Sequence, residues 1–279
     1  MPLYQTSFKR VAIIGGGKMG EAILAGLLRA RTGPTATLLP EHLTVVNPGL
    51  ERRAYLQETY SVPCIERVAQ LEACDLVVLA VKPQVMPEVL SELANCSWLA
   101  QAYVFSIAAG ISTATIEAAL PSGTKVVRAM PNTPLTVGHG ITAVCAGSRA
   151  SAEDAHVAQE LFEALGEAVV VEESQMDAVT AVSGSGPAYV AAFIEAMTQA
   201  GEELGLEASV AEKLATATVE GTAVLLRETG QGAIQTRLDV CSPGGTTLAA
   251  LNAMENAGYS KSIMAGVHAA AARSKELSQ

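Results

Sequence analysis

Gly15, Gly17 and Gly20 form a G-x-G-x-x-G motif that lies directly after an apolar run and at the start of a helical stretch. In such a motif the first glycine permits a tight turn, the second lets the backbone approach a pyrophosphate, and the third allows close packing of helix and strand. The unpaired N–H groups at the start of the helix favour an anion. A tight turn without a ligand would share the motif, but the strand–turn–helix context favours a dinucleotide-binding site.

The first half of the chain alternates short apolar runs with helical stretches, a pattern typical of a parallel sheet with crossover helices. We predict strands at residues 11–14, 43–46, 75–81, 103–107 and 125–129, and two further segments, 141–145 and 168–171, that extend the sheet. We predict helices over residues 19–31, 111–120 and 152–165. The first half is therefore predicted to be an α/β domain.

The pattern changes after Glu172, where strand-like runs stop and Ala-rich segments with a 3.6-residue period begin. We predict helices at residues 187–204, 208–228, from near 247, and at 260–277. The first of these is apolar on more than one face, so it must be buried on several sides. A helical dimer interface explains this better than packing on the α/β domain alone. We therefore predict a domain at 1–172 and an all-helical dimerisation domain at 173–279.

Composition argues against several classes of protein. The formal net charge of −10 disfavours nucleic acid or an anionic membrane as a partner. Five scattered cysteines and four dispersed histidines predict neither a disulfide framework nor a metal site. The chain has no run of about 18 apolar residues of the kind that spans a membrane. We expect a cytoplasmic protein.

The end of the second predicted strand indicates which dinucleotide binds. An acidic residue at this place would hold the ribose 2′-hydroxyl of NAD. This chain has the neutral Asn47 there, with Arg52 and Arg53 shortly after it. These residues favour a 2′-phosphate and hence NADPH, with NADH as a weaker alternative. The two arginines on an exposed helix face, with no cofactor role, are the other interpretation.

Two further segments lie where open α/β sheets bind ligands, at the carboxyl ends of strands. Lys82 follows the central strand, and we predict that it contacts cofactor or substrate rather than only solvent. The segment RAMPNTP has two prolines that fix a loop and leave Asn132 and Thr133 as polar groups aimed at the cleft. A plain rigid turn is the alternative for this segment.

Two glycine-rich loops in the helical half suggest a second site. Residues 183–189 (SGSGPAY) end a coil and start a helix, and residues 241–247 (CSPGGTT) again lead into a helix. The backbone N–H groups of the second loop would be unpaired at the helix N-terminus and would suit a substrate carboxylate. The residues that provide them are Gly244, Gly245, Thr246 and Thr247. Helix capping by Ser or Thr is the alternative for both loops.

Five motifs, in their order and spacing, closely resemble those of pyrroline-5-carboxylate reductases, and the resemblance covers essentially the whole chain. The motifs are GGGKMG, AVKPQ, RAMPNTP, SGSGPAY and CSPGGTT. The resemblance implies an N-terminal Rossmann domain, a C-terminal helical domain that interlocks between two subunits, and a substrate pocket at that interface facing the nicotinamide. It leaves dimer and decamer open.

By matching motif positions, the resemblance also implies roles for individual residues. The pyrophosphate would lie against Ile14, Gly15, Gly16, Gly17, Lys18 and Met19. The cofactor cleft would be lined by Ala80, Val81, Lys82, Pro83, Ser106, Ile107 and Ala108, with Asn47 at the adenosine 2′-phosphate. The pyrroline carboxylate and ring nitrogen would be held by Ser242, Gly245, Thr246 and Thr247, and Glu173 falls on a position implicated in proline binding.

Two positions depart from the family pattern. Asp239 stands where an Asn that touches cofactor or substrate is expected, and we predict that Asp239 binds substrate. Arg67 falls near a position that is often Asn in the cofactor site. An arginine there either strengthens phosphate binding or has no role.

The function implied is hydride transfer from NADPH to the C=N bond of pyrroline-5-carboxylate, which gives proline. A hydroxyl near the imine nitrogen would help, and Thr247 is the predicted hydrogen-bond partner. One rival is a β-hydroxyacid dehydrogenase with Lys213 as its general acid and base. A second rival is a non-catalytic NADP sensor, which would bind the cofactor without turnover.

Overall fold

The structure, a computed structural model, describes residues 7–30 and 32–277. Within these residues eight strands form one sheet in the order β3-β2-β1-β4-β5-β6-β7-β8. The strands are β1 (Val11–Ile14), β2 (Leu43–Val46), β3 (Cys64–Ile65), β4 (Leu76–Leu79), β5 (Tyr103–Ser106), β6 (Lys125–Met130), β7 (Gly140–Ala146) and β8 (Gly166–Val170). Because β1 lies between β2 and β4, the strand order reverses beside it, and a crevice forms at the carboxyl ends of these strands.

Helices connect most of the strands. They are α1 (Lys18–Arg29), α2 (Leu50–Tyr60), α3 (Met86–Leu93), α4 (Thr113–Ala119), α5 (Ala152–Glu163) and α6 (Met176–Val179). Every residue of β1 and β4 is buried, as expected for strands covered by helices on both faces. Along β1, Val11 and Ile13 belong to one apolar cluster and Ala12 and Ile14 to another, one on each side of the sheet.

Most predicted elements are confirmed, with shifts of one to a few residues at their ends. The last residue of the predicted helix 19–31, Arg31, lies outside the described residues; α1 ends at Arg29. One expectation was wrong: the sheet is not parallel throughout, because β6 and β7 pair in antiparallel fashion. The link between them, residues 131–139, is too short for the crossover that a parallel pair needs.

The described residues divide into two compact units, residues 7–30, 32–185 and 270–277 in the first and 186–269 in the second. The second unit holds α7 (Gly186–Glu203), α8 (Ala208–Thr229), α9 (Ala233–Asp239), α10 (Thr246–Asn256) and the first part of α11 (Tyr259–Leu277). Four of these helices were predicted and α9 was not. No helix in the described residues is long and apolar enough to cross a membrane.

The helical unit has little core of its own. Among residues 186–269, all of which are described, the only buried side chains are Ala211, Ala215 and Thr236. Large apolar side chains on the same helices are exposed, including Leu214 at 55% and Ile234 at 71%. On the predicted helix 187–204, which is α7, no residue is buried and Val190 is 46% exposed. The burial on several sides that we expected for this helix is therefore not seen within the described residues of one copy, and its place in a dimer interface stays a prediction.

The segment SGSGPAY differs from its prediction as the end of a coil. Residues 180–184 form one π-helical turn after α6, closed by a 2.8 Å hydrogen bond from Ser185 N to Thr180 O. The Cβ of a side chain at Gly184 would lie 2.8 Å from Met130 Cε, so the end of the Met130 side chain would have to shift. The segment is therefore helical, with a local widening of the type that often occurs at functional sites.

A polar network joins the amino ends of β5 and β6 to α5. Asp154, which is buried, accepts hydrogen bonds from the Tyr103 hydroxyl at 2.6 Å, the Lys125 ammonium at 2.8 Å and the Ser151 backbone N–H at 2.8 Å. Burial acts to raise the pKa of Asp154, but Lys125, Ser151 and Tyr103 outweigh it and the pKa lies below its ordinary value. The ionised carboxylate is therefore the form that the fold stabilises.

We expect Asp154→Asn to lower the free energy of unfolding by about 1–3 kcal/mol near pH 7, because a neutral amide cannot form an ion pair with the Lys125 ammonium. Since the folded-state pKa is depressed, the contribution of Asp154 is present above the ordinary value of 3.8 and is lost as the pH falls through the lower folded-state value. The gap between wild type and variant should therefore narrow below about pH 4. Urea unfolding over this pH range at one fixed protein concentration measures both effects.

Glu58→Gln is the control, because Glu58 is exposed on α2 and its substitution should leave the free energy of unfolding nearly unchanged. An Asp154→Asn protein as stable as wild type near neutral pH, or a gap that stays constant into acid, would contradict this account of the network.

Candidate active site

A cleft of about 560 Å³ lies at the carboxyl ends of β1, β2, β3 and β4, where the strand order reverses. We call it the switch-point cleft. Its lining residues are Ile14, Gly15, Gly17, Val46, Asn47, Pro48, Glu66, Arg67, Val68, Ala80, Val81, Lys82, Val85, Glu88, Val89 and Glu92. It brings together residues predicted from three separate motifs: the glycine turn, the end of β2 and the AVKP segment.

The three motif glycines have different roles. Gly15 has a φ of +107°, and a Cβ there would lie 2.6 Å from the Ala80 carbonyl oxygen. A Cβ at Gly20 would overlap the Gly15 carbonyl oxygen, whereas a Cβ at Gly17 would meet no described heavy atom within 4 Å. Gly15 and Gly20 are thus required by the protein's own packing, while Gly17 leaves open space.

This open space lies at the start of α1, where the geometry suits an anion. The helix begins at Lys18, Gly17 is its N-cap residue, and no side chain in the described part of the chain caps it. The first N–H groups of a helix have no intrahelical partner. The turn therefore offers unpaired backbone donors and room beside Gly17, which fits a pyrophosphate.

Arg52 braces the glycine turn from α2. Its Nε donates to the Gly16 carbonyl oxygen at 2.5 Å, and its guanidinium forms an ion pair with Glu21 on α1. Tyr55 and Tyr60 donate their hydroxyls to the same carboxylate, at 3.0 and 2.9 Å. Burial acts to raise the pKa of Glu21, but these partners outweigh it and its pKa lies below normal. The carboxylate thus ties α2 to α1.

Arg53 braces the loop after β2. It donates to the carbonyl oxygens of Asn47 at 2.8 Å and Pro48 at 2.6 Å, and it lies 3.5 Å from Glu66. The Asn47 amide oxygen accepts the Gly16 N–H at 3.3 Å. Asn47 therefore lines the switch-point cleft, whereas the described lining includes neither of the arginines predicted with it.

The remaining predicted cofactor residues follow neighbouring strands or sit at the start of α1. Lys18 is exposed, and Met19 is half-buried against the main apolar cluster. Ser106 ends β5 as a buried residue, and its hydroxyl oxygen accepts the Ala108 N–H at 3.4 Å. Ile107 lies between them, and Pro83 opens a short turn after β4.

Asn132 has a partner inside its own loop. Its amide oxygen accepts the Ile141 N–H at 3.0 Å and so helps to hold the turn between β6 and β7. The amide oxygen thus has a structural role in the hairpin, and the contact of Asn132 with a cofactor stays a prediction. Thr133, beside it, is exposed.

Glu173, a predicted substrate residue, is held in one orientation. Its carboxylate accepts the Thr113 N–H at 2.7 Å and the Thr113 hydroxyl at 2.5 Å, and Arg128 Nη1 lies 3.5 Å away. Arg128 is only 5% exposed, and its Nη2 has no hydrogen-bond partner among the described residues. The sequence reasoning missed Thr113 and Arg128, which lie far from Glu173 along the chain.

The CSPGGTT loop leads into α10 as predicted. Gly244 has a φ of +72°, and the Gly245 N–H donates to the Ser242 carbonyl oxygen at 3.0 Å. The expectation of four unpaired N–H groups is therefore wrong for Gly245, whose N–H closes the turn. No side chain of the described residues caps α10, so the capping alternative is not seen here. The loop is mostly exposed, with Thr247 half-buried.

Asp239 and Lys213 lie on other helices of the same unit. Asp239 ends α9 and accepts hydrogen bonds from the amides of Gln235 at 2.7 Å and Gln231 at 2.6 Å. These two hydrogen bonds hold the pKa of Asp239 below its usual value. Lys213 is exposed on α8. Nothing in its surroundings singles it out as the general acid and base of a hydroxyacid dehydrogenase.

Sequence reasoning missed one wall of the switch-point cleft, which α3 and the residue before it provide. The missed residues are Val85, Glu88, Val89 and Glu92. The buried residues of α3 are Met86, Val89, Leu90 and Leu93, which have helical spacing. This spacing was the signal that would have found the helix.

Two family models match separate parts of the chain. Residues 173–277 match the family model described as pyrroline-5-carboxylate reductase dimerisation. Residues 10–110 match a model described as NADP oxidoreductase, coenzyme F420-dependent.

Relatives and solved structures match over nearly the full length. The pyrroline-5-carboxylate reductase of Synechocystis is 44% identical over 96% of this chain and 98% of its own, and the mouse pyrroline-5-carboxylate reductase 3 is 38% identical over 97% of both. The Coxiella burnetii pyrroline-5-carboxylate reductase structure has a TM-score of 0.88 at 35% identity, covering 98% of this chain and 99% of that one. The Plasmodium falciparum pyrroline carboxylate reductase structure, with NADP bound, has a TM-score of 0.83 at 28% identity, covering 97% and 98%. The chain belongs to the pyrroline-5-carboxylate reductase family.

Proposed function

We propose that the protein uses NADPH to reduce the C=N bond of pyrroline-5-carboxylate, giving proline. The observation that carries the proposal is the open side of Gly17 at the uncapped start of α1, inside the switch-point cleft. In a chain of this family, that space is where a dinucleotide pyrophosphate fits.

Several residues of the first unit would hold the cofactor. Backbone N–H groups at the start of α1 bind the pyrophosphate, and Lys82 lies at the carboxyl end of the central strand near it. Asn47 would lie beside the adenosine ribose, with Arg53 supporting its loop and Arg52 supporting the glycine turn. The remaining members of the proposed contact set are Ile14, Gly16, Lys18, Met19, Ala80, Val81, Pro83, Ser106, Ile107, Ala108 and Asn132. When bound, NADPH supplies the hydride that adds to the imine carbon.

The second unit would hold the substrate carboxylate. The start of α10 lacks a capping side chain among the described residues, so its first N–H groups can bind an anion. The proposed residues are Ser242, Gly244, Gly245, Thr246 and Thr247, with Glu173 and Asp239 as further substrate contacts. The Thr247 hydroxyl would hydrogen-bond the ring nitrogen, which becomes an amine as the carbon gains hydride. Since a protonated imine is more electrophilic, a group that orients the N–H assists the reaction, and water supplies the proton.

Self-association belongs to the same proposal. The chain carries the dimerisation region of its family. We infer that residues 173–279 form this domain and 1–172 the cofactor domain, and that the exposed apolar side chains of α8 and α9 contact a second copy. We also infer a cytoplasmic protein that binds neither nucleic acid nor membrane, in line with its net charge of −10 and five free cysteines among the described residues.

We expect the purified protein to oxidise NADPH when pyrroline-5-carboxylate is present and to form proline in equal amount. Loss of NADPH absorbance and chromatographic measurement of proline test this together. Parallel reactions with NADH and with the six-membered cyclic imine define selectivity. Folded protein that binds NADPH but turns over neither imine would point to a sensor and reject the proposal.

We expect Gly17→Ala and Gly20→Ala to fail in different ways. The Gly17→Ala protein should keep a wild-type melting temperature and lose NADPH affinity by more than about tenfold, because the new methyl occupies only the space that the cofactor needs. The Gly20→Ala protein should lose more than about 3 kcal/mol of stability, because its methyl overlaps the Gly15 carbonyl oxygen. Thermal unfolding and NADPH titration distinguish the two; normal NADPH binding by Gly17→Ala would refute the assignment.

We expect Thr247→Val to lower kcat/KM by about tenfold to a hundredfold, because it removes the hydroxyl but keeps the shape of the side chain. Thr247→Ser should restore most of the activity. The Kd for NADPH should not change in either variant. A Thr247→Val enzyme with wild-type kcat/KM would show that the hydroxyl has no part in the reaction.

A further inference from the structure

The two arginines after β2 are committed to the protein itself. Arg52 contacts Gly16 and Glu21, while Arg53 contacts two backbone carbonyls and is 15% exposed. In the described lining of the switch-point cleft, the cationic side chains are instead those of Arg67 and Lys82. If the cleft binds a 2′-phosphate, one of these two residues would therefore provide the positive charge that the phosphate requires.

Strand register places Arg67 beside the end of β2. Val46, the last residue of β2, pairs with Ile65 of β3, and the Asn47 N–H donates to the Ile65 carbonyl oxygen at 3.0 Å. Arg67 follows two residues later, next to the loop that begins at Asn47. Lys82 follows β4, which β1 separates from β2. The adenosine ribose of a dinucleotide lies at the end of β2, so Arg67 is the cation on that side.

The Arg67 side chain is free to reorient. It is 66% exposed, and its guanidinium is 3.4 Å from the carboxylate of Glu92. Glu92 lies on α3, which forms one wall of the cleft. Such an exposed pair contributes little to stability and exchanges readily for a stronger partner. The other Glu92 oxygen, Oε2, is buried and has no hydrogen-bond partner among the described residues. The carboxylate is thus poorly satisfied by the pair it makes.

The charges around the cleft make Arg67 decisive for a phosphate. The described lining of the cleft includes three carboxylates, those of Glu66, Glu88 and Glu92. Without Arg67, Lys82 would be the one cationic side chain in this described lining. A phosphate monoester carries a charge of about −1.5 to −2 near pH 7, so it is repelled by these carboxylates unless an arginine intervenes. A ribose 2′-hydroxyl carries no charge and is not repelled in this way.

Resting on the proposed use of NADPH, we propose that Arg67 is the residue that makes the cleft select a 2′-phosphate, and that Glu92 competes with the phosphate for it. Binding exchanges a single long contact to Glu92 for charge-assisted hydrogen bonds to phosphate oxygens, which an arginine can make in pairs. Glu92 holds the guanidinium at the cleft and at the same time limits how tightly NADP⁺ binds.

Calorimetric titration of the intact protein with NADP⁺ and with NAD⁺ at low ionic strength tests the proposal. Arg67→Gln should weaken NADP⁺ binding by about tenfold and change NAD⁺ binding by less than about twofold, because only NADP⁺ carries the 2′-phosphate. Glu92→Gln should strengthen NADP⁺ binding by about two- to threefold and leave NAD⁺ binding unchanged. In the double variant Arg67→Gln/Glu92→Gln, the gain in NADP⁺ affinity from Glu92→Gln should be smaller, because the arginine for which Glu92 competes is absent.

Arg10→Gln is the matched control. Arg10 is 59% exposed and pairs with Glu72 at 2.7 Å, but it precedes β1 at the opposite end of the strands. Its substitution removes the same charge and should leave the ratio of NADP⁺ to NAD⁺ affinity unchanged. An Arg67→Gln protein with a wild-type ratio, or one that weakens both nucleotides equally, would overturn the assignment. Wild-type protein that binds neither nucleotide would overturn the proposed function, and the assignment with it.

Discussion

The structure depends on one close approach, between the start of α1 and the turn that follows β1. Gly20 passes so near the Gly15 carbonyl oxygen that a side chain would overlap it, and Gly15 in turn lies against the Ala80 carbonyl after β4. These two contacts bring β1, α1 and β4 together at one point. Because atoms of the chain fill the inner side of the turn, the side that faces Gly17 stays open. Packing that serves the fold therefore also creates the space for a pyrophosphate.

Charged side chains around this turn stabilise it and shape what it can bind. Glu21 gathers Arg52, Tyr55 and Tyr60, so that one carboxylate fixes α2 against α1. Arg52 is consequently engaged before any ligand arrives, and Arg53 is held by the carbonyl oxygens of Asn47 and Pro48. In our proposal, recognition of a negative charge falls to Arg67, which follows β3 and whose contact with Glu92 is long, at 3.4 Å. Arginines thus have a structural use on α2 and a proposed ligand-facing use after β3.

Local patterns in the sequence were sufficient for β1, β2 and β4, because these strands are short and mostly apolar runs, but not for β3, which has only two residues. They were also sufficient for the glycine turn, whose geometry follows from the motif. The antiparallel pairing of β7 was not predictable from apolar pattern, since pairing direction depends on the length of the link. Nor could sequence reveal that Arg52 is bound to Glu21, or that Thr113 and Arg128 hold Glu173, because these partners are separated by 31 to 60 positions. Hydrogen bonds between distant segments are set by tertiary packing, which local sequence patterns do not contain.

The helical unit shows how assembly and chemistry are coupled. Its buried side chains, among residues 186–269, are two alanines and a threonine, so burial inside one copy contributes little to its stability. Apolar side chains of α8 and α9 can leave water only against another surface, and we infer that a second copy provides it, because the chain carries the dimerisation region of its family. Association then stabilises the helices by mass action, and their stability varies with protein concentration. The uncapped start of α10, which we propose for the substrate carboxylate, belongs to these helices. If α10 holds the substrate carboxylate as proposed, separation of the subunits would destabilise the helices that carry this site, so loss of assembly and loss of substrate binding would follow from a single cause.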